Sequence, residues 1–241
     1  MKALGPNKKW PQLGPSPLAR IVITGASGSG QSRVAEVLIR QYQPYVDRVY
    51  LISSTIDTDQ SIQQLKEDIK QIYKDRSLPI SDPEINPFRS DVNDLGAILD
   101  GMSSRTREAE SLGSSVAPCT AIYLDDLGFG GGLRYNAQIE RLFQVGRHSF
   151  GIAIVSQQSY RSLSRAARLQ ASHLAIMRNV GTTEISAVLD ENSGRPGLAA
   201  DKLLSAFKVA TKDRPFGYLW LALNNPEGMQ MWSGLTKQIR Y

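Results

Sequence analysis

Two hydrophobic periods alternate along the chain. Short β-branched or aromatic runs read as buried strands: "RIVIT" (20–24), "RVYLISS" (48–54), "TAIYLDDLG" (120–128), "GIAIVSQQ" (151–158), "SHLAIMR" (172–178) and "FGYLWLAL" (216–223), the last of them. Between them lie segments with a helical repeat. "QSRVAEVLIRQYQ" puts Val34, Val37, Leu38 and Tyr42 on one face, and Pro44 follows. "SIQQLKEDIKQIY" does the same with Ile62, Leu65, Ile69 and Ile72. "NDLGAILDGMSSRTREAESLG" reads as a helix capped by Asn93 or Asp94, and "SLPISDPEINPF" as a proline-broken loop. Strands that alternate with helices predict an α/β fold: a mainly parallel central sheet with helices on both faces. Continuity of the pattern predicts one domain over 20–241. Residues 1–19, with four prolines, Lys8 and Lys9, are expected to form a flexible arm.

Composition narrows the function classes. The 241 residues are 41% hydrophobic, enough for one sizeable core. No apolar run approaches the ~20 residues of a membrane span, and no apolar signal region opens the chain. Cys119 is the single cysteine, so no intrachain disulfide forms, and a reducing compartment is expected. With only His148 and His173 besides, a structural zinc site is not expected. The net charge of +5 suits a polyanion, but equally an ordinary basic protein.

The chemistry concentrates after the first strand. Gly25-Ala26-Ser27-Gly28-Ser29-Gly30-Gln31-Ser32 matches the phosphate-loop pattern G-x-x-x-x-G-K-[ST] except at the lysine, where Gln31 stands. In such a loop the backbone N–H groups and the dipole of the following helix hold an anion. Ser32 is placed to put its hydroxyl on Mg²⁺. Glutamine donates a hydrogen bond but brings no charge. A bare Gly/Ser turn is the alternative, and the strand–loop–helix context argues against it.

"AIYLDDLG" supplies the second element. A P-loop NTPase needs an acid at the end of a buried strand to hold the Mg²⁺ shell, and Asp125 fits. Asp126 is placed to orient or deprotonate the attacking water.

The stretch "QVGRHSFGIAIVSQQSYRSLSRAARLQASHLAIMR" follows at a short interval. With the loop and the acid pair, it resembles the FtsK/HerA superfamily of DNA-pumping ATPases. It is most similar to the genome-packaging ATPases of double-stranded DNA viruses, the poxvirus-like and internal-membrane groups. The resemblance spans roughly residues 20–180. It implies a RecA-like P-loop ATPase core, ATP and Mg²⁺ as cofactors, and a homo-oligomeric ring, hexamer or pentamer. It further implies ATP-driven packaging of double-stranded DNA, held without regard to sequence, into a preformed capsid. Capsid vertex proteins become possible partners, and the host cytoplasm, virus factory or virion vertex the expected locations. On this pattern Asp125 is the Mg²⁺-site acid, Asp126 the catalytic acid, and Gln157 the polar sensor of the γ-phosphate, with Gln158 competing. Arg147, in Gly146-Arg147, is the candidate arginine finger, with Arg134, Arg141, Arg161 and Arg178 as other choices.

Arg161, Arg165 and Arg168 are spaced to share one helical face and are DNA-binding candidates, as is the "GFGGGLR" loop (128–134). A solvated helix face and a plain connection are the competing readings. Because every other site element is retained, the lysine-to-glutamine change reads as an engineered substitution that slows hydrolysis, with natural degeneracy the alternative. Two rival functions stay open: a non-hydrolysing nucleotide-binding ring or scaffold at a capsid vertex, and a small P-loop kinase.

Overall fold

The computed structural model describes residues 18–125, 127, 134–149, 151–226 and 228–240. Residues 1–17 of the expected arm, Asp126 and most of the 128–134 loop lie outside these residues.

Among the described residues nine strands form one sheet: β1 (Arg20–Thr24), β2 (Arg48–Ser53), β3 (Phe88–Arg89), β4 (Thr120–Asp125), β5 (Gly151–Gln157), β6 (His173–Met177), β7 (Tyr218–Ala222), β8 (Met231–Ser233) and β9 (Lys237–Gln238). Seven α-helices among the same residues accompany them: α1 (Gln31–Tyr42), α2 (Gln63–Asp75), α3 (Leu95–Ser111), α4 (Ala137–Val145), α5 (Arg165–Gln170), α6 (Thr182–Asn192) and α7 (Ala200–Thr211). The strand order is β3-β2-β4-β5-β1-β6-β7-β8-β9. Pairing is parallel from β3 through β6 and antiparallel from there to β9. The expectation of a mainly parallel sheet is met.

Central strands read as unbroken apolar runs because both faces are covered. Ile21, Val22 and Ile23 of β1 are all fully buried, but not in one core. Val22 faces a cluster with residues of α3, α4, α6 and α7. Ile21 and Ile23 face another with residues of α1 and α2. Each such side chain contributes about 1.5–3 kcal/mol of burial. Alternation along one strand therefore holds helices to both faces.

Several details depart from the sequence reading. A 3₁₀ turn, Val92–Asp94, precedes α3, and its cap is Asp91, whose carboxylate accepts from Asn93 N. Asp94 makes no side-chain cap. The proline-broken loop ends in the first residue of β3, Phe88, and two strands follow the expected last one. Gly146-Arg147, for which the family pattern implies a helix, lies in a 3₁₀ turn (Gly146–Ser149) after α4. Among the described residues no helix is long and apolar enough to cross a membrane.

Candidate functional site: a phosphate loop beside a buried acid

The carboxyl ends of the parallel strands form one edge, where ligands of open α/β sheets bind. The loop 25–30 leaves β1 at this edge and turns into α1. Gly30 caps α1 at φ 95°, a left-handed conformation that a side chain would strain. No side-chain cap is made there and the first turn holds no acid. The helix's first N–H groups and its positive dipole end are thus left for an anion. Gly25 is fixed for another reason. A Cβ at this position would sit 2.5 Å from Met177 Cβ, so only glycine lets the loop pass over β6. Its N–H donates to Gln157 O at 3.2 Å.

A cavity of about 420 Å³ opens over the loop. Its lining includes Ser27, Gly28, Gly30, Gln31 and Ser32 together with Asp125 and Gln158. Ala26 accepts a turn bond from Ser29 N, and Ser29 is buried beneath. The acid strand is not adjacent to β1; β5 runs between them. This order puts the tip of β5, with Gln157 and Gln158, between loop and acid.

Asp125 is 4% exposed. The buried Tyr123 donates its phenol proton to Asp125 Oδ1 at 2.5 Å and lies 3.0 Å from Ser156 Oγ. Residues two apart on a strand share a face, and Ser156 is the direct partner of Asp125 across β4–β5. Burial, then the negative charge of Asp125 and the bond to it, push the Tyr123 phenol well above its ordinary value; bonds from Ser156 and Ser32 pull the other way. Tyr123 therefore remains a donor, and its oxygen marks where Ser32 and Asp125 come together. Both bring hard oxygen ligands, which suit Mg²⁺. Among the described residues no group of three His, Cys, Asp or Glu could hold a metal unaided.

Three polar atoms at the loop's base, Thr24 Oγ1, Ser29 Oγ and Gln157 Nε2, are buried without a hydrogen-bond partner. Orphaned polar atoms in a native fold call for an explanation, and a phosphate-binding loop supplies one.

Gln31 lines the cavity, but its amide is bonded to the sheet. Its Nε2 donates to Gln157 O at 2.8 Å and to Ile23 O at 3.4 Å. Of the two candidate sensors, Gln158 lines the cavity. Gln157 is 4% exposed, and its Oε1 accepts from Ser162 Oγ at 3.0 Å. The segment after them is pinned by Glu184 of α6, which accepts from Ser159 Oγ at 2.9 Å and from Tyr160 N at 2.6 Å.

The arginine stripe does not form. Arg161 and Arg165 are exposed, but they lie on separate helical segments, a 3₁₀ turn (Tyr160–Ser162) and α5. Arg168 is turned inward at 7% exposure, bonded to Glu191 and to Leu163 O, with Tyr160 under its guanidinium. It is removed from the DNA-contact candidates because its donors are used inside the fold. Asp126 lies outside the described residues, as does the side chain of Arg147.

Sequence reasoning missed Tyr123, Asp59 and Ser61. Asp59 and Ser61 line the cavity from the turn after β2, where Ser61 Oγ donates to Ser32 Oγ at 3.4 Å. Tyr123 was findable, two residues before the acid on the same strand face. Asp59 and Ser61 come from a segment with no motif.

No family model and no curated protein matches the chain. Solved structures do. The genome-packaging NTPase B204 of Sulfolobus turreted icosahedral virus 2, in complex with sulfate, superposes with a TM-score of 0.55 at 13% identity, covering 87% of this chain and 93% of B204. B204 has also been solved with ATP-gammaS, AMPPCP and AMP. The pCW3 conjugation coupling protein TcpA, with ATPgS, gives 0.57 at 11% identity over 96% of this chain and 70% of TcpA. ATPases 2 and 3 of EssC from Geobacillus thermodenitrificans give 0.54 at 11% identity over 85% of this chain and 37% of EssC. At these identities the likeness is one of fold: the chain shares the α/β fold of these ATPases, as expected.

Proposed function

We propose that this chain is an ATP-driven motor that packages double-stranded DNA into a preformed capsid, with turnover slowed at Gln31. One observation carries the reading: Ser32 and Asp125, from opposite ends of the sequence pattern, line a single cavity with the tip of β5 between them. That is the arrangement nucleotide hydrolysis needs. Backbone N–H groups hold phosphate, a hydroxyl and a carboxylate hold Mg²⁺, and a polar side chain from the intervening strand faces the terminal phosphate. In the proposed assignment Gln158 faces the phosphate and Gln157 anchors the strand tip. Asp126 orients the attacking water, and Arg147 reaches a neighbouring subunit's site in a ring. Mg²⁺, held by Ser32, Asp125 and the phosphates, would neutralise charge developing on the phosphoryl oxygens. The fold shared with a viral packaging NTPase at 13% identity supports the packaging role. DNA would be gripped through its phosphates, independent of sequence.

The Gln31 bonds to Gln157 O and Ile23 O favour a second reading, a nucleotide-binding ring or scaffold that does not hydrolyse. The deciding experiment measures ATP hydrolysis by this chain and its Gln31→Lys variant, with and without long duplex DNA. A motor gives turnover in the lysine variant that rises with DNA, and rings with nucleotide or DNA. Inactivity in both leaves the scaffold reading.

A further inference from the structure

A phosphate loop without its lysine lacks the charge that holds β- and γ-phosphates, and Gln31 has committed its amide to two carbonyls. Another cation already stands in the cavity. Arg33 lies two residues further along α1 and lines the same space as Gly28, Gly30, Gln31 and Ser32. Its Nη1 is held by Glu36, 2.6 and 2.5 Å from the two carboxylate oxygens. The arginine is loosely kept: its side chain is 66% exposed, while that of Glu36 is 7% exposed. The Arg33 end of this pair is open to water, which screens it, whereas guanidinium against phosphate makes paired charge-assisted bonds.

Glu36 would repel phosphates if Arg33 simply left it, since it lines the cavity too. It does not depend on Arg33 alone. Arg40, one turn on, lies 2.9 Å from Glu36 Oε1 and is itself tied to Asp68 at 2.6 Å. The carboxylate keeps a cation when Arg33 moves.

We propose that Arg33 supplies the phosphate charge of this loop in place of the lysine, exchanging Glu36 for the phosphates of a bound nucleoside triphosphate. The inference rests on the nucleotide-site reading above and deepens it. It also changes the meaning of Gln31. The loop's charge would have moved two residues into the helix, and the slowing assigned to Gln31 above would fall away while the nucleotide site stands.

The test is calorimetric titration of ATP with Mg²⁺ into the full chain and its Arg33→Ala, Arg33→Lys, Gln31→Lys and Gln31→Lys/Arg33→Ala forms. Arg33→Ala is expected to weaken binding roughly tenfold or more, the scale of a lost charge-assisted contact. Arg33→Lys should retain most of the affinity. The double variant should recover to near the parent, because a lysine at position 31 returns the charge by the usual route. Thermal melting without nucleotide should be the same for the parent and Arg33→Ala, which separates binding from folding. Equal ATP affinity in the parent and Arg33→Ala overturns the inference and leaves the nucleotide site intact. So does a parent that fails to bind while Gln31→Lys binds. Failure of both to bind overturns the inference and the nucleotide-site reading together.

Discussion

The Gln31 side chain donates to the main-chain carbonyl of Gln157 over 2.8 Å, tying the start of α1 to the tip of the neighbouring strand β5. A lysine at this position is normally drawn to phosphate; here the amide works as a strut between loop and sheet. To touch a ligand it would first have to break its own bonds, and it brings no charge in return. Gln31→Ala is therefore expected to cost about 0.5–1.5 kcal/mol of stability, the net worth of an intramolecular hydrogen bond. Urea unfolding reads this as a lower midpoint at unchanged slope. ATP affinity should stay within about threefold, under ~1 kcal/mol. A large loss of affinity would mean that Gln31 itself binds phosphate.

Tyr123 offers a sharper test of the acid site. Its hydroxyl is bonded to Asp125 and sits beside Ser156. Tyr123→Phe keeps the ring and removes only these contacts. Stability should fall by about 1.5–3 kcal/mol, the range for a bond to a charged group. If Asp125 holds Mg²⁺ as proposed, removing the group that orients it should weaken Mg²⁺-dependent ATP binding about 10- to 100-fold. Titrations with and without Mg²⁺ separate the two effects. Loss of stability with unchanged Mg²⁺ dependence would reduce Tyr123 to a packing role.

How much of this was legible in the sequence follows from the range of each determinant. The loop, α1 and the run ending at Asp125 are local patterns: glycines where the backbone turns left-handed, a 3.6 period, an unbroken apolar run. All three were found. What failed depends on contacts between distant segments. Arg168 has helical spacing from Arg161 and Arg165, but Glu191, 23 residues away, draws it inward. Asp59 and Ser61 reach the cavity only because the turn after β2 packs on α1. Strands β8 and β9 are short, and their antiparallel pairing, β8 on β7 and β9 on β8, leaves little periodicity to read. The order of strands, which puts β5 between loop and acid, is a property of the whole chain.

The arginines permit a direct separation of structural from DNA-contact roles. Arg168 bonds Glu191 inside the fold, so Arg168→Ala should destabilise by about 1.5–3 kcal/mol. It should leave the salt dependence of DNA binding unchanged. Arg161 and Arg165 are exposed, and substituting either with alanine should change stability by no more than about 0.5 kcal/mol. If they meet DNA phosphates, each substitution lowers the slope of log affinity against log salt by about one. Slopes equal to the parent's would remove both from the DNA surface.

His173 makes the stability of the fold depend on pH. It opens β6 with its ring 5% exposed, tilted against Trp220 at 5.2 Å, with Nδ1 2.8 Å from Ser172 Oγ. Burial, and then the charge of Arg20, lower its pKa to about 4 from an ordinary 6.5. The folded protein thus keeps His173 neutral where the unfolded chain has already protonated it. Between those values the unfolded state binds more protons, so stability falls as pH drops through 6.5 and levels off near 4. A shift of this size corresponds to roughly 3 kcal/mol across the window. The Glu191 carboxyl acts lower. Burial raises its pKa, but bonding and attraction to Arg168 outweigh this and hold it below the ordinary value. Its contribution is present above that ordinary value and is lost only as pH falls through the lowered one. The two windows can be told apart by urea midpoints measured at half-unit steps from pH 7 to 3. His173→Gln should flatten the curve between pH 6.5 and 4 and leave the lower limb in place. A variant that keeps the full slope in that window would show that the acid sensitivity arises elsewhere in the fold.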